Sequence, residues 1–510
     1  MADGVPAARR AGLALATVLA AAAVWRGLLA ARYWGWEESD YGNLAMARGV
    51  LASGFTRFDM NHLPGYYAVS AAVLALTGDA VVATRIVSGL GGLTALAGAV
   101  WLAIRVGGAR AGWVAGLLLA FQPEFALYSS TSLREPLYGG LLVVAVLLAA
   151  RERPLAAGLA AAAAFLVRMD ALVVAGPVLA LQAIGHPPRG RRLAAALLPL
   201  AVAAVAWSVY CRVAYGTYAF WGHSVEVNLE TGLGAEASTR LAWAGNGLRV
   251  AAVLLAGVLP DHLGWLPWAG ALLALGPLLA AGHGERRALG AALLATTAFW
   301  LGTAFLAQHE PGHNLYWKWM FPLVPFWTVA GVLGLLALLD RAVRAVGRAL
   351  PWTVTALLLG ATLARHLGET GRQMDQSEAL YRPQVELARR IEAEIPESVP
   401  MVLDNIPERF LSRRPHERDL RTWLDLEPGS PEAFGAYLAR DRVGWVLWFR
   451  EAWTRAPVVA PFLAGGGAVR CGPVDLVERD REEGYGWIWY EVVPVDAPGG
   501  AGYRGAASGQ

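Results

Sequence analysis

Residues 11–41 read AGLALATVLAAAAVWRGLLAARYWGWEESDY. The first part, Ala11 to Ala31, is an apolar run of the length needed to cross a bilayer, roughly 17–25 residues. It breaks directly into an aromatic and acidic loop that holds Tyr33, Trp34, Trp36, Glu37, Glu38, Asp40 and Tyr41, and runs on through Asp59, Asn61 and His62 to Pro64-Gly65-Tyr66-Tyr67. A loop that only joined two membrane helices would not need four carboxylates, a histidine and several rings. Arg32, Trp34 and Trp36 stand where a cleavable signal would carry small residues, so the first run reads as an uncleaved span.

Working outward, the chain of 510 residues is 56% hydrophobic and 16% charged, with mean hydropathy +0.41. Soluble domains carry about 25% charge, so the class is an α-helical polytopic membrane protein. A net charge of +3 is too small to suggest a nucleic-acid partner. Apolar windows at 11–31, 81–105, 110–129, 133–150, 154–168, 169–185, 193–211, 264–282, 288–306, 316–339 and 350–366 predict about eleven spans. The two around 154–185 are short and are broken by Arg168-Met169-Asp170, which predicts a polar apex between them. Segments 64–78 and 247–260 are too short to span and are expected to lie along the interface.

Basic residues orient the set. Arg9-Arg10, Arg105 with Arg110, Arg151 with Arg153, Arg189 with Arg191-Arg192, Arg286-Arg287, and Arg341 with Arg344 and Arg348 fall in alternate loops. The positive-inside rule makes those loops cytoplasmic, together with the amino terminus. Loops 32–80, 129–133, 212–247 and 307–315 then face outward, and an odd span count places the carboxyl-terminal region outside as well. Cys211 and Cys471 would both sit on the oxidising side, which leaves a disulfide between them open.

Three regions follow: a membrane domain over 1–366, a soluble domain over 367–497 and a tail over 498–510. In the second, an amphipathic helix at 376–395 precedes a strand at 401–404. A helix at 431–440 with proline at its start leads into a strand at 444–449, and further strands are expected near 468–477 and 486–493. Alternating helices and strands predict a small α/β fold. Its sequence shows no metal-ligand spacing, phosphate loop or nucleophile motif, so the chemistry is expected in the membrane domain.

The outer loops gather polar residues beside the membrane. Glu37, Glu38 and Asp40 follow the first span, and Asp59 and His62 precede the interfacial segment. Arg134-Glu135 opens one span, Arg168 and Asp170 form the short-helix apex, and Lys318 opens another. Carboxylates from different loops can divide work, one taking a proton while another holds a metal or a sugar hydroxyl. Cations at the surface suit a phosphate leaving group. Tyr41, Tyr66 and Tyr67, with Trp34 and Trp36, are suited to stacking on sugar faces; the other reading of such rings is the interfacial aromatic belt. Arg168 with Asp170, and Arg134 with Glu135, also read as ion pairs at helix ends. His62 is the loop residue suited to a substrate or a divalent metal. His309 and His313 have i, i+4 spacing, but Pro311-Gly312 between them breaks a metal-binding helix.

Over roughly residues 10–340 this motif order resembles the GT-C superfamily of membrane glycosyltransferases, which includes aminoarabinose transferases and protein O-mannosyltransferases. Glu37-Glu38-Ser39-Asp40-Tyr41-Gly42-Asn43-Leu44-Ala45 is similar to the family's Asp-Glu-x-x-Tyr-x-x-x-Ala, with glutamate at the first acid. His62-Leu63-Pro64-Gly65-Tyr66-Tyr67 resembles His-Pro-Pro-Leu-Tyr-Tyr. Thr84-Arg85 is similar to the start of Leu-Arg-Leu-Pro, and Tyr128 through Glu135 looks like a second acidic loop. Phe165 through Asp170 matches a helix break with lysine at the position of Arg168, and Lys318 through Pro325 resembles Arg-Tyr-x-x-Pro-x-x-Pro.

The resemblance implies a polyprenyl-phosphate-linked sugar as donor, inverting transfer, and a lipid, glycan or protein acceptor at the outer leaflet of a cell membrane. It implies Glu38, Glu37, Asp40 or Glu135 as catalytic acids, and Lys318, Arg168, Arg134 and Arg85 as phosphate ligands. His62, Asp59, Tyr41 and Tyr66 would contact substrate. No cofactor beyond a divalent metal is implied. A transporter of lipid-linked solutes would instead show charges deep in the spans and an internal repeat, and the conspicuous charges read as lying at span ends. A non-catalytic accessory protein is the other alternative.

Overall fold

A computed structural model describes residues 7–33, 38–58, 62–185, 187–216, 237–281, 284–308, 318–346, 349–396, 398–403, 420–421, 430–449, 467–482 and 487–495. Two compact units emerge: Met1–Gly35 with Met46–Asp375, and Trp36–Ala45 with Gln376–Gln510.

The first unit is helical. Its elements are α1 (Ala7–Arg32), α2 (Glu38–Ala52), α3 (Pro64–Thr77), α4 (Ala80–Ala120), α5 (Pro123–Tyr128), α6 (Glu135–Ala150), α7 (Pro154–Val167), α8 (Ala171–Ile184) and α9 (Arg189–Tyr215). Then come α10 (Ala237–Val253), a π turn (Leu254–Val258), α11 (Leu259–Leu263), α12 (Trp265–Leu279), α13 (Glu285–Ala307), α14 (Val324–Val346) and α15 (Ala349–Glu394). Six helices are long and apolar enough to cross a membrane: Ala11–Arg32, Ala80–Ala120, Arg189–Tyr215, Ala242–Leu263, Glu285–Ala307 and Val324–Ala345. Five apolar helices of 14–16 residues accompany them. The chain is a multi-pass membrane protein. On α9, Leu198, Val202, Val205, Val209 and Val213 are exposed along one stripe, the face that lipid would cover.

Several expected boundaries move. The spans at 81–105 and 110–129 are one segment broken at Gly108 (φ 80°), and its second half stops at Ala120 because Gln122 caps a separate short helix, α5, with proline at its start. The segment at 247–260, expected to be too short, is part of a helix of spanning length. The window at 316–339 divides into a turn at 318–320 and α14, since Pro322 cannot donate to a continuing ladder. The apex between α7 and α8 forms as expected.

Three ion pairs gather the basic loops at one end of the unit: Arg105 with Glu285 (3.0 Å), Arg110 with Asp340 (3.0 Å) and Arg192 with Glu152 (2.9 Å). The loop 121–134 and the Lys318 turn lie at the opposite ends of the same helices. Two glycines hold the backbone tight near that second end. A Cβ on Gly91 would run into the backbone of Pro136 and Leu137, and one on Gly65 would sit 2.8 Å from the carbonyl oxygen of Leu166. Small residues are what allow membrane helices this close an approach, and here they set the starts of α6 and of the α7–α8 apex.

The second unit holds a six-stranded sheet ordered β2-β1-β3-β6-β5-β4, from β1 (Met401–Leu403), β2 (Leu420–Arg421), α16 (Pro431–Arg440), β3 (Trp445–Phe449), β4 (Ala468–Cys471), β5 (Val474–Glu482) and β6 (Trp487–Pro494). β1 pairs in parallel with β2 and β3, and β3, β6, β5 and β4 run antiparallel. Period-two alternation sends Val402, Val446 and Ile488 to a core with Phe434 and Leu438, and Met401, Leu447 and Trp489 to one with Leu387 and Ile391. The expected strand near 468–477 is a hairpin, turned at Gly472 (φ 55°). Cys211 and Cys471 are both buried free thiols.

Candidate functional site

α7 ends at Val167 because Arg168 takes an extended conformation (φ −147°, ψ 131°). Its side chain then crosses to the start of α6. The Arg168 guanidinium bonds the Glu135 carboxylate and, at 2.7 Å, Asp170. It also lies 5.9 Å from the centre of the Tyr138 ring. Glu135 and Arg168 are 2% and 8% exposed, so this ion cluster is a buried one. Burial alone would lower the Arg168 pKa, but Asp170 and Glu135 outweigh it and raise the value, fixing the positive charge. Arg134 approaches the same Glu135 oxygen at 3.8 Å. The other oxygen, Oε2, is buried without a hydrogen-bond partner among the described residues. Two carboxylates therefore face two guanidinium groups, and the cluster is neutral.

Lys318 adds a charge beside it. The Phe321 amide donates to the Lys318 carbonyl (3.3 Å), and the Phe321 ring stacks on Phe125 at 4.8 Å and packs over Gly139 in the first turn of α6. Lys318 is 9% exposed, and burial pushes its pKa down to about 8. An ammonium in such surroundings suits an anion that can share its desolvation.

The remaining expected residues fall elsewhere. Tyr66 is fully buried, its hydroxyl bonded to Ser88 (3.1 Å) and to the Thr84 carbonyl (3.3 Å), and it ties α3 to α4. Arg85 donates to the carbonyls of Ala30 and, at 2.8 Å, Tyr33, closing the end of α1. His62 is partly exposed and meets the Tyr67 ring edge-on at 5.7 Å. Glu37 and Asp59 lie outside the described residues. Glu38, Asp40 and Tyr41 fall in the first turn of α2, with side chains outside the description. Among the described residues no three His, Cys, Asp or Glu side chains gather as a metal site.

Two features escaped the reading of the sequence. Arg26 lies inside the first span, against the expectation that charges sit at span ends. It is 4% exposed, donates to the carbonyls of Ala22 (3.3 Å) and Ala120 (3.4 Å), and covers the Phe125 ring at 5.3 Å. A charge within a span is a signal that the sequence did carry. The second is a carboxylate–imidazole pair, Glu124 with His262 Nδ1 at 2.5 Å. Burial would raise the Glu124 pKa, yet the charge and hydrogen bond of His262 hold it below the usual carboxylate range. No short motif announces this pair.

No family model and no curated protein sequence matches the chain. Solved structures do. ArnT from Cupriavidus metallidurans, bound to undecaprenyl phosphate, superposes with TM-score 0.61 at 16% identity, over 94% of this chain and 97% of that one. The archaeal oligosaccharyltransferase AglB from Archaeoglobus fulgidus, in complex with an inhibitory peptide and a dolichol-phosphate, gives TM-score 0.52 at 13% identity, over 95% of this chain and 75% of that one. Helix order, the apex between α7 and α8 and the carboxyl-terminal sheet thus belong to one architecture, and the chain has the GT-C fold of these membrane glycosyltransferases.

Proposed function

We propose that this protein is a membrane glycosyltransferase that moves a sugar from a polyprenyl-phosphate donor to a lipid, glycan or protein acceptor, with inversion. The observation that carries the reading is Lys318, a buried cation beside a neutralised ion cluster at one end of a GT-C bundle. Arg168 is occupied by Glu135 and Asp170, so the phosphate falls to Lys318 and Arg134. A carboxylate of the first loop, Glu38 ahead of Glu37 and Asp40, takes the acceptor hydroxyl proton. The oxygen bonds to the anomeric carbon, the bond from that carbon to the phosphate oxygen breaks, and the lipid phosphate leaves toward Lys318. A phosphate leaving group needs cations more than a general acid. Incubation of the purified protein with labelled polyprenyl-phosphate sugars and membrane lipids tests the reading; neither transfer nor donor hydrolysis across the panel would overturn it.

Lys318 has a pH signature. Below about pH 8 its ammonium is charged, and above that it becomes neutral. Affinity for polyprenyl phosphate is expected to fall as pH rises past this value, and Lys318→Arg to remove the fall, because a guanidinium stays charged. Lys318→Ala should cost about 1.5–3 kcal/mol, the worth of a charge-assisted contact, or roughly 10–150-fold in affinity. A flat pH profile, or parent affinity in the alanine variant, would remove Lys318 from the site.

The same reading puts the protein in the cell membrane with the basic loops cytoplasmic and the acidic first loop outside. Reporter fusions after residue 370 should then signal only from the outer side, the carboxyl-terminal domain being extracytoplasmic. A cytoplasmic signal there overturns the orientation.

A further inference from the structure

A second polar cavity, of about 250 Å³, opens beside α5 and is not used by the phosphate chemistry. Glu124, Asp261, His262, Arg365, His366 and Glu369 line it. Glu124 is the fixed point: it accepts from His262 Nδ1 (2.5 Å), from Gln122 and, more distantly, from Gln373 (3.5 Å). Gln122 also donates to the His262 carbonyl at 3.4 Å, which ties the two sides of the wall together. Asp261 pairs with Arg365 at 3.5 Å on the rim.

His366 is the feature without an internal explanation. It is 3% exposed, it lines the cavity, and neither ring nitrogen has a hydrogen-bond partner among the described residues. Leaving a buried polar group unanswered costs about 1–3 kcal/mol. A neutral imidazole presents one donor and one acceptor on different ring edges, so a matching ligand must both give and accept hydrogen bonds at neighbouring points. Vicinal hydroxyls do this. An anion does not fit, since three carboxylates face one guanidinium across the lining. A lipid tail does not fit, since the named walls are polar.

We propose that this cavity is a saccharide site, binding a neutral sugar ring by its hydroxyls through Glu124, His262 and His366. Its place suits the reaction. Phe125, the residue after Glu124, stacks on Phe321, whose amide is bonded to the carbonyl of Lys318, so sugar and phosphate subsites are neighbours at one end of the unit. Division of the two keeps the anion away from the carboxylates. The site itself stands on this geometry, and only the origin of its sugar, donor or acceptor, rests on the glycosyltransferase reading.

The test uses the full-length protein in lipid nanodiscs and ligand-observed NMR with methyl hexopyranosides. Saturation transfer to the ring protons is expected in the parent. His366→Phe should weaken binding about tenfold, the loss of two neutral hydrogen bonds. Asp261→Ala, on the exposed rim and thus safe for folding, should weaken it less. Displacement of the glycoside by a polyprenyl-phosphate hexose but not by polyprenyl phosphate assigns the cavity to the donor sugar, and displacement by neither assigns it to the acceptor. Absence of transfer in a folded parent, or equal transfer in His366→Phe and the parent, overturns the proposal. Polyprenyl phosphate binding, measured on the same samples, is expected to survive His366→Phe. If the parent failed to bind polyprenyl phosphate yet held the glycoside, the donor reading would fall and the saccharide site would stand.

Discussion

Glu38→Gln is expected to lower sugar transfer by roughly 10²–10⁴-fold, the usual consequence of losing a well-placed base, while polyprenyl phosphate binds as in the parent. The change is isosteric, so it removes the proton acceptor and little else. Glu38 fills the second acidic position of the pattern Glu37-Glu38-Ser39-Asp40-Tyr41, three residues before Tyr41, and stands at the first position of α2. The positive end of a helix dipole favours an ionised carboxylate there, which keeps a base ready at neutral pH. Glu37→Gln and Asp40→Asn are the necessary companions, because all three acids occupy the loop. The measurement is single-turnover transfer from a labelled donor beside equilibrium binding of the lipid phosphate. Parent rates in all three amide variants would make the first loop a binding or structural element and move the search for a base to Glu135.

Arg168→Leu should be the most damaging single change to the fold of the membrane unit. It removes the cation shared by Glu135 and Asp170 and leaves two carboxylates in a pocket where Glu135 is 2% exposed. Breaking one side of a buried ion pair costs about 3–5 kcal/mol, because the uncompensated charge remains desolvated. Glu135→Gln should cost less, since Arg168 retains Asp170 and the amide still accepts a hydrogen bond. The apparent unfolding midpoint in detergent, followed by tryptophan fluorescence, should therefore fall in the order parent, Glu135→Gln, Arg168→Leu. Parent stability in Arg168→Leu would show that the cluster is not what closes the α6–α7–α8 junction. Lys318→Ala serves as the contrast: it removes a charge that burial already disfavours, so its effect is expected on phosphate binding and not on stability.

The sequence by itself determined the membrane class, the sorting of basic loops to one end, the break at Arg168-Met169-Asp170 and the α/β character of residues 376–494. Each of these is a local or periodic signal: apolar run length, charge between runs, a polar interruption, alternation within a strand. The ion pairs Arg105–Glu285 and Arg110–Asp340 join loops that charge sorting alone had assigned to the same side. Length was less secure. Residues 247–260 were too short as an apolar window, but polar residues upstream continue the helix, since backbone hydrogen bonding does not stop where hydropathy does.

Only the tertiary structure decided which polar side chains meet. Glu124 and His262 are 138 residues apart and lie in no shared motif, yet they form a pair in a common cavity with His366. Tyr66 and Arg85 sit within segments that read as substrate-facing, and packing turns one into the core and the other onto the carbonyls of α1. Arg168, which the sequence offered as a phosphate ligand or a helix-break ion pair, is held by two carboxylates from separate elements. The physical reason is common to all of them. A helix period states which residues share a face, but the partner that face meets depends on how closely backbones approach, and here glycines such as Gly65 and Gly91 set that distance.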